Sequence, residues 1–213
     1  MQQKQDIKGF TLLELIVVVT IVAIVSAVGY PNFMDWRKDR EVRLAVEKVS
    51  TMLRSINTQA QRGNFAVVQL YVQRNGNDKT TFYSRGINQE TEATVTNTPG
   101  QKINCLYNTT YWRNSDSEVE SFTLEVQTQI DPRGTVCFSK DTRHYLSDGK
   151  LKQPQTNLKV DGKVVNNYII ICSSGAKCPL SKWKDPTYLV EWNRFGNISK
   201  YKWNEKRNAW TRI

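Results

Sequence analysis

The chain reads as an α+β protein: a long N-terminal α-helix, transmembrane in its first half, packed on an antiparallel β-sheet or sandwich head. Three observations predict this. Phe10–Tyr30 is a run of 21 residues in which Glu14 is the only charge, and helical spacing of apolar residues continues beyond it. After Gly63 the apolar period shifts from 3.6 residues to two, which marks strands. All four cysteines lie in the C-terminal portion, as in an exported domain stabilised by disulfides.

The apolar run comes first. A helix of its length reaches roughly 30 Å, enough to cross a hydrocarbon core. Thr11, Thr20 and Ser26 can bond back to their own helix and do not prevent a span. Glu14 is the anomaly, because a carboxylate inside such a segment costs about 2.5–3.5 kcal/mol. A residue kept at that cost points to a role and to a cationic partner. A new α-amine, released by a cut just before Phe10, would supply one. A secretory signal peptide is a poorer account, since its cleavage site follows the apolar core rather than preceding it.

Gly9-Phe10-Thr11-Leu12-Leu13-Glu14 resembles the processing site of type IV pilins and of type II secretion pseudopilins. The resemblance implies that a prepilin peptidase cuts between Gly9 and Phe10 on the cytoplasmic face and methylates Phe10. Glu14 then becomes the fifth mature residue and pairs with the N-terminal amine of a neighbouring subunit. Pro31 stands where many pilins carry a helix-bending proline. The implied organisation is a prepilin leader over 1–9, an N-terminal helix over 10–62 with 10–30 in membrane or filament core, and a β-rich head over 63–213. The implied place is the bacterial inner membrane with a periplasmic head, then the pilus tip at the cell surface. The implied partners are prepilin peptidase, other minor and major pilins, and the inner-membrane assembly platform.

Past Pro31 the helical pattern resumes. Val42, Val46, Val49, Leu53, Ile56 and Ala60 are spaced 4, 3, 4, 3 and 4, an amphipathic stripe that predicts packing on a sheet. Pro31 should bend the helix without ending it, and Arg62-Gly63-Asn64 supplies the stop. Phe65–Val72 and Thr80–Arg85 read as a hairpin around Arg74–Asp78. The stretch from Gly86 to Ser121 is polar, with Ile103–Tyr107 its best strand. Phe122–Ile130 alternates as one strand. Asp131-Pro132-Arg133-Gly134 is a turn before a strand over Thr135–Phe138. Asp141–Lys163 reads as a polar loop, Asn167–Cys172 as a buried strand. Tyr188–Trp192 and Ile198–Trp203 form a terminal hairpin.

Three of these stretches carry a second resemblance. Ile130–Gly134, Tyr168–Cys172 and Phe195-Gly196-Asn197-Ile198 occur in the order and spacing of the GspH/FimT group of minor pilins and pseudopilins. The resemblance implies a helix laid on a sandwich-like head and a minor pilin, with a FimU-like subunit the nearest description. A GspH-like pseudopilin of type II secretion and a FimT-like DNA-uptake receptor are the alternatives. FimT-like receptors carry Gly-Arg-x-Arg near the C-terminus, whereas here Gly196 is followed by Asn197 and Ser199.

No enzymatic constellation emerges. His144 is the only histidine, in a polar loop, and neither a phosphate-binding loop nor a metal-binding helix motif is present. The spacings of Cys105, Cys137, Cys172 and Cys178 lack the tight pairs of a zinc knuckle. No metal or cofactor is expected. Two disulfides are the better account: Cys172 with Cys178 would leave Cys105 with Cys137, but four cysteines allow three pairings. The formal charge is +10, and removal of the leader, with Lys4, Lys8 and Asp6, lowers it to +9. In the tail, Lys200, Lys202, Lys206, Arg207 and Arg212 face Glu205 alone, interleaved with Tyr201, Trp203 and Trp210. That mixture is a candidate DNA contact, phosphates on the cations and bases on the rings. A basic edge hairpin with core-filling aromatics reads the same residues as structural, and Trp203 is expected in the core.

Overall fold

The computed structural model describes residues 11–76, 79–97, 103–105, 112, 118–129, 133–140, 158–165, 167–173, 178, 183–184, 186–193 and 195–213. The chain divides into two compact units, residues 1–38 and 39–213.

Helix α1 is Leu12–Arg62. Its first turn is capped by Thr11, whose Oγ1 accepts the Glu14 backbone N–H at 3.2 Å and so satisfies one of the free donors there. The helix runs through position 31, although a proline there contributes no N–H to the ladder. Gly63 ends it: φ is +77°, and its N–H reaches Ala60 O at 3.2 Å. Among the described residues, no single helix is long and apolar enough to cross a membrane. Leu12–Ala27 and Asn32–Arg62, bent at the break between them, pass together by length and composition.

The second unit is β-rich. Its strands are β1 (Val67–Asn75), β2 (Lys79–Ile87), β3 (Glu118–Leu124), β4 (Val126–Thr128) and β5 (Arg133–Ser139). Then come β6 (Lys159–Val160), β7 (Lys163–Val164), β8 (Tyr168–Ser173), β9 (Thr187–Trp192), β10 (Ile198–Asn204) and β11 (Ala209–Arg212). They form an antiparallel sheet ordered β3-β2-β1-β5, a second ordered β11-β10-β9-β8-β4, and the hairpin β6-β7.

The helix stripe explains why the sheets sit where they do. Val42, Val46, Val49, Leu53, Ile56 and Ala60 are all at most 1% exposed. They share one core with Val68, Leu70, Val72 and Phe82 of the first sheet and with Ile169, Ile171, Tyr188 and Val190 of the second. The helical period meets the strand period along one seam, and burying each such side chain stabilises by about 1.5–3 kcal/mol. On its other face the second sheet carries a separate core of Tyr168, Ile170, Leu189, Tyr201, Trp203 and Trp210. β8 is buried throughout because it is covered on both faces.

Four sequence expectations are corrected. The alternating run from Phe122 is two strands, not one. It leaves the first sheet after Leu124 and enters the second at Val126, and Thr80 Oγ1 bonds Val126 O at 3.1 Å across the step. Ile103–Cys105 is not a strand; it is a buried strap held by side chains, with Gln69 Nε2 donating to Cys105 O at 2.8 Å. Residues Gln89–Thr96 form helix α2, whose Asn88 side chain caps the Thr91 N–H at 2.8 Å. Within the expected polar loop, Lys159–Val164 is the β6–β7 hairpin, turned by Asp161 and Gly162 at φ +50° and +77°. Residues 141–157 of that loop, with His144, lie outside the described residues, as do Gly9 and Phe10. The terminal hairpin gains a third strand, β11, which pairs with β10 from Tyr201↔Arg212 to Asn204↔Ala209.

Candidate functional site

Two regions hold the residues singled out by sequence. The first is the start of α1, in the first unit. Glu14 lies in the opening turn, three residues after its capping threonine, where an acid complements the helix dipole. Around it Leu12, Leu13, Leu15, Ile16, Val17 and Val18 are all about half exposed or more, and exposure of large apolar side chains continues to Val25. Thr20 turns its hydroxyl onto Ile16 O at 2.7 Å, so it presents no free donor. An uncovered apolar surface of this length needs a lipid or protein environment.

The second region is the terminal hairpin. Alternation along β10 separates the two residue types that the sequence interleaves. Lys200 and Lys202 face α1. Lys200 Nζ lies 2.6 Å from Glu47 Oε1, and Lys202 Nζ lies 2.7 Å from Asp39 Oδ1. Asp39 also accepts the Tyr188 hydroxyl at 2.9 Å, and Lys202 sits 5.6 Å over the Tyr188 ring. Tyr201 and Trp203 face the other way. Trp203 packs edge-on to Trp183 at 4.9 Å and to Trp210 at 5.3 Å, and it is 5% exposed. β10 therefore fastens the helix with its cations and fills the second core with its rings. Of the five tail cations, Lys206, Arg207 and Arg212 remain exposed.

Asn57 secures the far end of this contact. Its Nδ2 bonds Phe195 O at 3.4 Å in the β9–β10 turn, where Asn193 Oδ1 accepts the N–H groups of Phe195 and Asn197. Gly196 sits there at φ +78°, and a Cβ would fall 2.2 Å from Asn57. Both features favour glycine. Sequence reasoning missed Asp39, Glu47, Asn57 and Tyr188. Nothing local marks them, because their partners lie 138 to 163 residues away.

Across β9 and β10, Tyr201 donates to Glu191 Oε2 at 3.3 Å. Burial pushes the Glu191 carboxyl above its ordinary range, against the opposing pull of the Tyr201 hydrogen bond and of Arg212. Burial, and then the Glu191 charge, raise Tyr201, which stays a donor.

The cysteines pair as Cys105–Cys137 and Cys172–Cys178. The first ties the buried strap to β5 beside Trp112, whose Nε1 donates to Asn104 O at 2.7 Å. The second returns the chain after β8 to the sheet edge, where the Cys178 N–H bonds Gln127 Oε1 at 3.2 Å. Among the described residues there is no group of three or more His, Cys, Asp or Glu side chains placed to hold a metal ion.

The match to a known family falls on the first region. Residues 4–30 match a family model described as the prokaryotic N-terminal methylation motif. Over 45 residues the chain is 42% identical to each of two curated proteins named Fimbrial protein, both from Pseudomonas aeruginosa. Those alignments span 21% of this chain and 29% of each relative. No solved structure matches.

Proposed function

We propose that this type IV pilin-like chain, with its N-terminal methylation motif, is a minor pilin that primes assembly at the pilus tip. Before assembly the α1 segment anchors it in the inner membrane with the head on the periplasmic side. Prepilin peptidase cuts between Gly9 and Phe10 and methylates Phe10. The observation that carries this reading is Glu14, the one charge in the apolar and exposed stretch Leu12–Ala27, held in the capped first turn of α1. Once neighbouring subunits and the assembly platform remove that surface from lipid, Glu14 neutralises the N-terminal amine of an adjacent subunit. Stranding one charge of such a buried pair costs about 3–5 kcal/mol. Glu14→Ala should therefore leave processing and membrane insertion intact but reduce incorporation. Counting pili, and co-purifying other pilins with the variant, checks this; normal values for both reject the role.

Processing has its own test. A side chain at position 9 would meet the peptidase site, so Gly9→Val should keep its leader, read by intact mass on the membrane fraction. A cleaved product from that variant would refute the assignment. A second reading, a GspH-like pseudopilin, uses the same assembly chemistry, and the Ile130–Gly134, Tyr168–Cys172 and Phe195–Ile198 stretches resemble the group that holds both kinds of subunit. Loss of twitching motility with secretion unaffected selects the pilus; the opposite pattern selects secretion.

A further inference from the structure

We propose that the outer edge of β11 receives an extended acidic segment of another protein as an added strand. The site lies wholly within the 39–213 unit, so its test is separate from those of Gly9 and Glu14.

β11 ends the second sheet, and among the described residues no strand lies beyond it. Its pairing with β10 is regular from Asn204↔Ala209 to Tyr201↔Arg212, and the Ile213 N–H continues it by donating to Lys200 O at 3.1 Å. In an antiparallel pair, opposite residues alternate between those that exchange main-chain hydrogen bonds and those that exchange none. Lys200 with Ile213 is of the first kind, and so are Lys202 with Thr211 and Asn204 with Ala209. Trp210 and Arg212 are of the second kind, so their N–H and C=O groups point away from β10. Ala209, Thr211, Arg212 and Ile213 are exposed. The edge therefore presents two donors and two acceptors along an uncovered strand. The other sheet edges differ. β4 is buried throughout, with Thr80 Oγ1 on Val126 O and the Cys178 N–H on the Gln127 side chain. Residues 134–139 of β5 are buried. The pairing of β3 with β2 shifts register at Ser84/Arg85, an irregularity of the kind that blunts an edge.

The chemistry of the edge selects its occupant. Paired donors and acceptors match another main chain, which adds as a strand. A phosphodiester offers acceptors only and would leave the two carbonyls unmatched. Charge then narrows the choice of strand. Within residues 198–213, Lys200 and Lys202 are matched by Glu47 and Asp39 of α1. That leaves exposed Lys206, Arg207 and Arg212 against exposed Glu205. On β9, Glu191 is half-buried and holds the Tyr201 hydroxyl. A second copy offering its own β11 would bring like charges together, whereas a strand bearing acids meets opposite ones. The same cations that guard the edge against indiscriminate pairing thus admit an acidic strand.

The test uses the full chain in a neutral detergent and a fluorescent peptide that alternates threonine and glutamate, with binding read by anisotropy. The peptide should bind several-fold more tightly than its threonine–lysine counterpart. Two further peptides carry N-methyl groups on alternate amides, one on the threonines and one on the glutamates. In an added strand only one of these sets faces β11. One methylated peptide should therefore bind roughly tenfold or more weakly, for two lost hydrogen bonds, and the other should bind like the parent. Arg212→Pro removes one outward N–H at an edge position that tolerates proline, and should also weaken binding. Arg212→Lys should retain it. The denaturation midpoint establishes that both variants fold, and if Arg212→Pro does not, the methylated peptides still decide. Absence of peptide binding, or equal binding of the two methylated peptides, which would mean charge attraction alone, overturns the proposal. So does self-association of the chain that Arg212→Pro abolishes and the peptide does not displace, which would assign the edge to a second copy.

Discussion

Glu191 shows how a single side chain ties the terminal hairpin to pH. Its carboxyl is raised by burial beside the second core, although Tyr201 donates to it. Between the unfolded pKa and the raised folded one, the folded chain binds more protons than the unfolded chain. Stability therefore falls as pH rises through that window, and the whole penalty is present above it. Glutamine carries no such penalty. Relative to the parent, Glu191→Gln should thus gain stability as pH rises above about 4.3, the ordinary glutamate value, and show no such gain below it. Urea midpoints of both proteins at acidic and neutral pH check this; a difference that does not change with pH would place the effect in packing instead. The motif at Glu14 was readable because its residues are contiguous. The residues that receive Lys200 and Lys202 were not, because Glu47 and Asp39 look like ordinary helix-surface acids until the strand arrives beside them.

Elements show the same division. Helix α1, the β1–β2 hairpin and strands β8 to β10 were legible because their apolar period is strong and long. The helix stripe from Val42 to Ala60 is buried at every position the spacing named. Elements α2, β6, β7 and β11 were missed because each is eight residues or fewer and, β6 apart, exposed along most of its length. Their signals are local: Asn88 before two early acids, Asp161-Gly162, and Asn208 at φ +48°. The two disulfides act on elements of unequal reach. Cys105–Cys137 closes a separation of 32 residues and Cys172–Cys178 one of 6. Loop-closure entropy then gives about 3.7 kcal/mol for the first and about 2.2 kcal/mol for the second. Replacing Cys105 and Cys137 by serine should destabilise the chain by about 1–2 kcal/mol more than replacing Cys172 and Cys178. Denaturant titrations of the two double variants decide it, and equal losses would show that native contacts, not loop length, set the effect.

For the molecule as a whole, the second sheet acts as a partition. One face receives α1 and the lysines of β10; the other receives Trp183, Trp203 and Trp210. A sequence with cations and aromatics interleaved resembles a single-strand binding surface, where phosphates and bases are held together. Folding sends the lysines and rings of β10 to opposite sides, where Lys200 and Lys202 pair with α1 and Trp203 packs in the second core, while Lys206, Arg207 and Arg212 stay exposed. Duplex DNA should therefore bind the full chain weakly, as its net charge of +10 allows, with an affinity that falls steeply with salt. Lys200→Glu with Lys202→Glu should act elsewhere. Each substitution sets a carboxylate against Glu47 or Asp39, so the main effect should be a loss of about 1–3 kcal/mol in stability, read from the denaturation midpoint. Residual DNA affinity should change no more than the same charge reversal does at the exposed Lys206 and Arg207. Submicromolar binding at physiological salt, abolished by the changes at Lys200 and Lys202 in a variant that remains as stable as the parent, would show instead that these lysines leave α1 to meet phosphate.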